Sequence, residues 1–210
     1  MIAQRPVVLQ ADCLGFGFAG RTVFTDFSIA IPPGVTWLGG DESTGKTTLL
    51  CLLAGALPAK SGTLAAKGIL LGSDALSYRK HVFWVDPRTD TFDALTPQAY
   101  WDSVPKQYPA FDRSLLEALA DALGLGPHLP KSLYMLSTGT KRKVFLAAAF
   151  AAGAAVTLLD EPFAALDKAS INVLLELLHE ASTHTSHAWV IADYVAPREV
   201  PLALEIVLPG

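Results

Sequence analysis

Between Gly40 and Thr48 the chain reads GDESTGKTT, directly after the apolar run VTWLG and directly before the leucine-rich KTTLLCLLAGAL. A glycine, four variable residues, then Gly-Lys-Thr between a strand and a helix is the pattern of a phosphate-binding loop. Successive backbone N–H groups and the positive end of the following helix converge there on one anion. The chain must therefore contain a strand that feeds a helix through a tight loop, which points to an α/β fold. Gly40, Asp41, Glu42, Ser43, Thr44, Gly45, Lys46, Thr47 and Thr48 are expected to hold the phosphates of a nucleotide. In such a loop Lys46 brings a positive charge to the terminal phosphates and the Thr47 hydroxyl is placed to ligate Mg²⁺. Asp41 and Glu42 look out of place beside a polyanion. They are tolerable if the backbone does the gripping and both carboxylates face solvent, where salt screens the repulsion.

The rest of the chain agrees with that architecture. VVLQADCL, RTVFTDFSIAI and VTWLG read as strands, GTLAAKGILLG as two short ones and HVFWV as a buried one, while Pro58 is expected to stop the helix that follows the loop. From about 89 to 136 the character becomes helical, with Asp112 as a cap and Leu115, Leu116, Leu119 and Leu123 on one face before Gly124. Helix (about 138–153), strand AVTLL, helix KASINVLLELLHEAS and strands AWVIA and LEIVL complete an alternation that implies a largely parallel sheet. The expectation is one domain over 1–210, with a core from about 1–88 and 137–210 and a helical insertion between, and no further regulatory domain after Asp193.

The apolar run Val144–Leu159 falls short of the roughly 20 residues of a spanning helix, and is read as a buried helix ending near Gly153 followed by a buried strand. With no signal-peptide pattern at the N-terminus, the chain is expected to be soluble. A net charge of −4 gives no case for a nucleic-acid partner. Cys13 and Cys51 match no disulfide framework or metal spacing and are read as reduced thiols.

Two further segments carry chemistry. VTLLDEP ends an apolar strand in adjacent acids, of which Asp160 suits water-mediated Mg²⁺ binding and Glu161 suits polarising the attacking water. An isolated pair of this kind more often caps the next turn. MLSTGTKRK starts an Ala-rich helix with Ser137, an added donor at a second anion-binding N-terminus, although Ser-Thr-Gly is also an ordinary helix start.

Taken in order, these motifs resemble the nucleotide-binding domain of the ATP-binding-cassette (ABC) family across nearly the whole chain. GDESTGKTT matches its Walker A loop, LSTGTKRKVFLAAAF its signature, with Ser137, Thr138, Gly139 and Thr140, VTLLDEP its Walker B, and AALD its D-loop, ending at Asp167. Phe18 stands where that family places an aromatic against adenine, though a buried Phe would serve the core equally well. The resemblance implies a P-loop NTPase core with an N-terminal antiparallel β-subdomain and an inserted helical subdomain. It also implies ATP with Mg²⁺ as cofactors, head-to-tail dimerisation with a second nucleotide-binding domain, and a polytopic membrane permease driven from the inner face of the cell membrane. The segment YWDSVPKQYPAFD and the compact size are similar to small bacterial exporter ATPases, including the haem-export ATPase of cytochrome c maturation. A degenerate regulatory subunit that binds ATP with little turnover, and a soluble ABC ATPase outside transport, are the alternatives.

Departures from the pattern bear on rate. Ser43 and Thr138 replace glycines, so both loops must adopt conformations that a Cβ permits. Thr140 replaces Gln, and Ala164 replaces the D-loop Ser. Asp86-Pro87 follows VFWV where the family has a Gln, and Asp86 is expected to serve the metal through its oxygens. Asp193 and Tyr194 stand where the family has a switch His, so Asp193 must donate as a neutral acid, yield that role to the Tyr194 hydroxyl, or leave a slow site.

If the backbone and Lys46 carry phosphate binding, replacing Asp41 with Asn and Glu42 with Gln together changes ATP affinity by no more than about 1 kcal/mol, and Lys46→Ala costs far more. Titration with a fluorescent ATP analogue decides; abolished binding in the double variant would make the acids ligands.

Overall fold

The computed structural model describes residues 6–209. In chain order it contains β1 (Leu9–Phe18), β2 (Arg21–Ile31), β3 (Gly34–Gly39), α1 (Lys46–Leu53), β4 (Ser61–Ala66), β5 (Ile69–Leu70), α2 (Ala75–His81) and β6 (Val82–Phe83). There follow α3 (Pro97–Ser103), α4 (Arg113–Ala122), α5 (Thr138–Ala151), β7 (Val156–Asp160), α6 (Lys168–Ala181), β8 (Ala188–Ala192) and β9 (Leu202–Val207). Two sheets result. One is antiparallel in the order β2-β1-β4-β5, and the other is parallel throughout in the order β6-β7-β8-β3-β9.

Every residue of β7 and β8 is buried, as a parallel sheet covered on both faces requires. The alternation of a strand sorts the side chains between two cores. Val156 and Leu158 face a core shared with α1 and the antiparallel sheet. Leu159 and Ile191 face a second core built with α5, α6 and the helical insertion. Trp101, 2% exposed, locks α3 to α5 by donating its indole N–H to the Val144 carbonyl at 3.0 Å. In α4, Leu116 and Leu119 supply the buried stripe that the spacing predicts. Asp112 starts that helix by accepting the Leu115 N–H at 2.9 Å, and its own N–H donates to the Ala151 carbonyl, tying the insertion to the end of α5.

The expected elements form, with three differences. Helix α1 ends at Leu53, before Pro58, because Gly55 takes φ +65°, a left-handed turn that a glycine adopts without steric cost. Of HVFWV only Val82 and Phe83 join the sheet, since β6 is an edge strand paired solely with β7 before the chain turns away. Helix α2 lies where no helix is expected. Asp74 caps it by accepting the Ser77 N–H, basic residues fill its last turn, and the buried Tyr78 hydroxyl donates to the Leu53 carbonyl at 2.6 Å. The run Val144–Leu159 divides into α5 and β7 as the sequence suggests, and among the described residues no helix is long and apolar enough to cross a membrane.

Removing the α4 cap with Asp112→Ala should cost about 1 kcal/mol. A lower urea midpoint with an unchanged m-value checks this; an unaltered midpoint would show that the Asp112 side chain contributes nothing.

Candidate functional site

The phosphate loop leaves β3, which lies between β8 and β9, at the carboxyl end of the parallel sheet. Ligands of open parallel sheets settle at that end. Lys46 is buried and curls back over the loop, donating to the Gly40 carbonyl at 2.6 Å and the Asp41 carbonyl at 2.7 Å, with its Nζ 4.2 Å from the centre of the Tyr194 ring. The Thr44 hydroxyl donates to the same Asp41 carbonyl. Asp41 and Glu42 are both exposed. Ser43 does not avoid the glycine-like conformation: it takes φ +62°, and its carbonyl accepts an N–H from Arg21 at 3.0 Å.

The Thr47 hydroxyl donates to Asp160 Oδ2 at 2.7 Å, so α1 and β7 meet at one carboxylate. Asp160 is 6% exposed and its Oδ1 finds no hydrogen-bond partner among the described residues. Burial pushes this carboxyl up, more than the Thr47 hydrogen bond and the Arg88 charge pull it down. An orphaned buried carboxylate oxygen beside a threonine hydroxyl is a donor set that fits a hard divalent cation such as Mg²⁺. Arg88, which sequence reasoning passes over, reaches the same place: its Nη2 lies 3.2 Å from Asp160 Oδ2 and 3.3 Å from Thr47 Oγ1. Asp86 accepts the Arg88 backbone N–H at 2.9 Å and pairs with its Nε at 3.5 Å. Its carboxylate thus holds Arg88 in position. The signal for Arg88 was a basic residue two places beyond Asp86, just after a strand at the ligand end of the sheet.

A cleft of about 530 Å³, within the usual range for a small-molecule site, brings together Phe18, Glu42, Ser43, Gly45, Lys46, Thr47, Thr48 and Glu161 of the expected residues, with Arg21, Val23, Arg88 and Tyr194 beside them. Phe18 is 54% exposed and packs edge-on against Phe16, with centroids 5.1 Å apart, so it is a free face at the rim rather than a core residue. Glu161 sits at φ +45° just beyond β7 and donates its N–H to the Ala192 carbonyl at 2.8 Å. Of the pair at the end of β8, Tyr194 lines the cleft, whereas Asp193 lines an adjoining recess with Phe163, Leu175 and Pro197, within electrostatic reach of Lys46 and Glu161. Asp193 accepts the Tyr194 N–H at 2.7 Å, and burial pushes its carboxyl up.

Ser137, Thr138, Gly139, Thr140 and Asp167 lie outside the cleft lining. Ser137 caps α5 by accepting the Thr140 N–H at 3.1 Å, and the two hydroxyls are 2.9 Å apart. At Gly139 a Cβ would come within 2.2 Å of the Ala165 carbonyl oxygen, so this position admits no side chain, while Thr138 at the helix start is accommodated. Asp167 caps α6 through the Ser170 N–H and pairs with Lys143 at 2.5 Å, which with the Ser170 bond holds its carboxyl well below the usual range. Buried Arg142 donates to the Ala164 carbonyl. His184 and His187 pack with Trp189 at the far end of β8, away from the cleft.

Known proteins resemble this chain in sequence and in fold. The profile of the family described as ABC transporter matches residues 24–164. The cytochrome c biogenesis ATP-binding export protein CcmA of Pseudomonas syringae pv. syringae is 31% identical over 187 residues, covering 88% of this chain and 86% of its own. The cobalt import ATP-binding protein CbiO of Rhodobacter capsulatus is 34% identical over 183 residues, covering 82% of this chain and 65% of its own. A solved structure of a putative ABC transporter ATP-binding protein from Pyrococcus furiosus superposes with a TM-score of 0.76 at 20% identity, over 95% of this chain and 96% of that one, a likeness of fold.

The raised carboxyl of Asp160 has a consequence for stability. A folded-state value above the unfolded one means the folded protein binds the proton more readily, so ionisation of Asp160 costs stability as pH rises through that interval. Asp160→Asn should therefore match wild type in acid and become progressively the more stable protein toward neutral pH, read as urea midpoints of nucleotide-free protein. A gap that shrinks with rising pH would reverse the assignment.

Proposed function

Because the chain belongs to the ABC transporter family, as one of its ATP-binding subunits, we propose that it binds Mg·ATP in this cleft and hydrolyses it in a head-to-tail dimer that drives a separate membrane permease. The observation that carries this reading is the division of the expected ATP contacts into two groups on one molecule. The cleft holds the phosphate loop, Thr47, Glu161 and an exposed Phe18, whereas Ser137, Thr138, Gly139 and Thr140 lie outside its lining. A second nucleotide-binding domain placed head to tail would bring its signature helix start to the open side of the cleft. A magnesium ion held by Thr47 and Asp160 would neutralise charge on the terminal phosphates. Lys46 must release the Gly40 and Asp41 carbonyls to meet those phosphates. Glu161, which with Glu42 is one of the two acids lining the cleft and the one just beyond β7, takes the proton from the attacking water on its carboxylate.

Turnover on this reading is slow. Asp86 and the Asp193-Tyr194 pair stand where the family uses Gln and His, the cleft is lined by Arg88 and Tyr194 instead, and Asp193 points its carboxylate to the Tyr194 N–H. The match to CcmA spans 86% of that protein, which supports a compact cassette that works with a separately encoded permease. The site of action is the inner face of the cell membrane, where the permease is met through the helical insertion.

Glu161→Gln keeps shape and hydrogen bonding but cannot accept a proton, so it should lower hydrolysis by roughly 10²-fold or more and elute as an ATP-dependent dimer where wild type remains monomeric. Gel filtration with ATP and turnover in the permease complex check this. Wild-type turnover in that variant would remove Glu161 as the base, and failure to copurify with any polytopic membrane protein would remove the transport role.

A further inference from the structure

We propose that Arg88 is a tethered cation of the nucleotide site: its guanidinium holds the Thr47–Asp160 pair in the place a divalent ion would take, and lets the cleft bind ATP without metal. The inference rests on the nucleotide reading above and adds a residue that the family's motifs do not contain.

The geometry is a closed triangle. Thr47 Oγ1 donates to Asp160 Oδ2 at 2.7 Å, and Arg88 Nη2 lies 3.2 Å from that oxygen and 3.3 Å from the Thr47 hydroxyl oxygen. The guanidinium thus already contacts the Thr47 hydroxyl and the carboxylate whose other oxygen, Oδ1, is left without a partner, the groups that suit a magnesium ion. This is not an ordinary surface ion pair, which contributes little. The Asp160 side chain is 4% exposed, and a buried carboxylate gains from a cation what an exposed one does not. The guanidinium is also held by its own stem: Pro87 restricts the backbone, Asp86 accepts the Arg88 N–H at 2.9 Å, and the same carboxylate steadies Nε at 3.5 Å.

Arg88 has capacity to spare on the cleft side. Its side chain is 64% exposed, it lines the cleft with Lys46 and Glu161, and among the described residues its Nη1 makes no hydrogen bond. A planar fork with free N–H groups suits phosphate oxygens. ATP entering without metal would meet two positive side chains, Lys46 and Arg88. ATP entering with Mg²⁺ would displace the guanidinium toward solvent, at the cost of its two contacts with Asp160 and Thr47.

The experiment uses the full chain, with a fluorescent ATP analogue titrated in excess EDTA and in excess Mg²⁺. Wild type should bind in both. Arg88→Ala should weaken binding in EDTA by roughly 10- to 100-fold, the size of a charge-assisted hydrogen bond, and leave binding in Mg²⁺ within about threefold. Arg88→Lys should restore much of the metal-free binding. Equal weakening in both buffers, or none in either, overturns the inference. Wild type that binds in Mg²⁺ but not in EDTA overturns it while leaving the proposed function standing; binding in neither overturns both. A second measurement needs no nucleotide. Arg88→Ala should lower the urea midpoint of wild type but not that of Asp160→Asn, and an equal lowering in both backgrounds would show that Arg88 does not act through Asp160.

Discussion

The hydrogen bond from Thr47 to Asp160 spans 113 residues of sequence and joins two elements that are not neighbours in the sheet. β3, which feeds the phosphate loop, pairs with β8, and β8 in turn pairs with β7, so the loop must pass over the end of β8 before α1 can begin above β7. That passage lays α1 across the sheet face that Val156, Leu158 and Val190 make apolar. The same carboxylate then serves as the reference point for Thr47 on one side and Arg88 on the other. A sheet whose strands ran in another order would bring the same motifs to different edges, and no single acid would collect them.

Much of this was legible from residue types alone. The phosphate loop announces itself because backbone geometry needs glycines at set intervals, and the strands and helices around it carry periodicities that burial enforces. Asp112 was readable as a cap for the same reason: an Asp before an apolar stripe satisfies an open N–H. What the sequence concealed was set by tertiary contacts. Helix α2 has few apolar residues and depends on Tyr78 reaching the Leu53 carbonyl, a partner 25 residues away. Phe18 is an aromatic that sequence leaves open between core and rim, and its exposure, with an edge contact to Phe16, settles it at the rim. Arg88 was hidden because a single basic residue in a loop has no periodicity to betray it, and Arg21 because it reads only as the polar first residue of a strand. Position 193 illustrates a different limit: spacing places a residue along a strand, but at the strand's end it does not say which of two consecutive side chains turns into the cleft.

The site stores backbone strain. Ser43, Glu161 and Ala165 all take positive φ, a region costing about 1–2 kcal/mol for a residue with a Cβ. Each is over-determined by its surroundings: Arg21 holds the Ser43 carbonyl, the Ala192 carbonyl holds the Glu161 N–H, and the Ala165 carbonyl is pressed against Gly139. The strain at Glu161 is the price of turning an acid away from the line of β7 and into the cleft, and it is met by a strand whose every residue is buried. Ser43 shows that the loop's shape is dictated by its ends; the residue in the middle conforms.

The contact between Gly139 and Ala165 has a mechanical meaning. With no side chain at 139, the start of α5 and the turn ahead of α6 meet backbone to backbone, and Arg142 clasps the neighbouring Ala164 carbonyl from one turn further along the same helix. Lys143 adds a third hold on Asp167, the residue on which α6 begins. Two helices fastened this way form a linkage without play. A push of a fraction of an ångström on the exposed start of α5 has no slack to take up before it reaches the turn that follows Glu161, so displacement at one surface becomes displacement at the other rather than being lost in side-chain rearrangement.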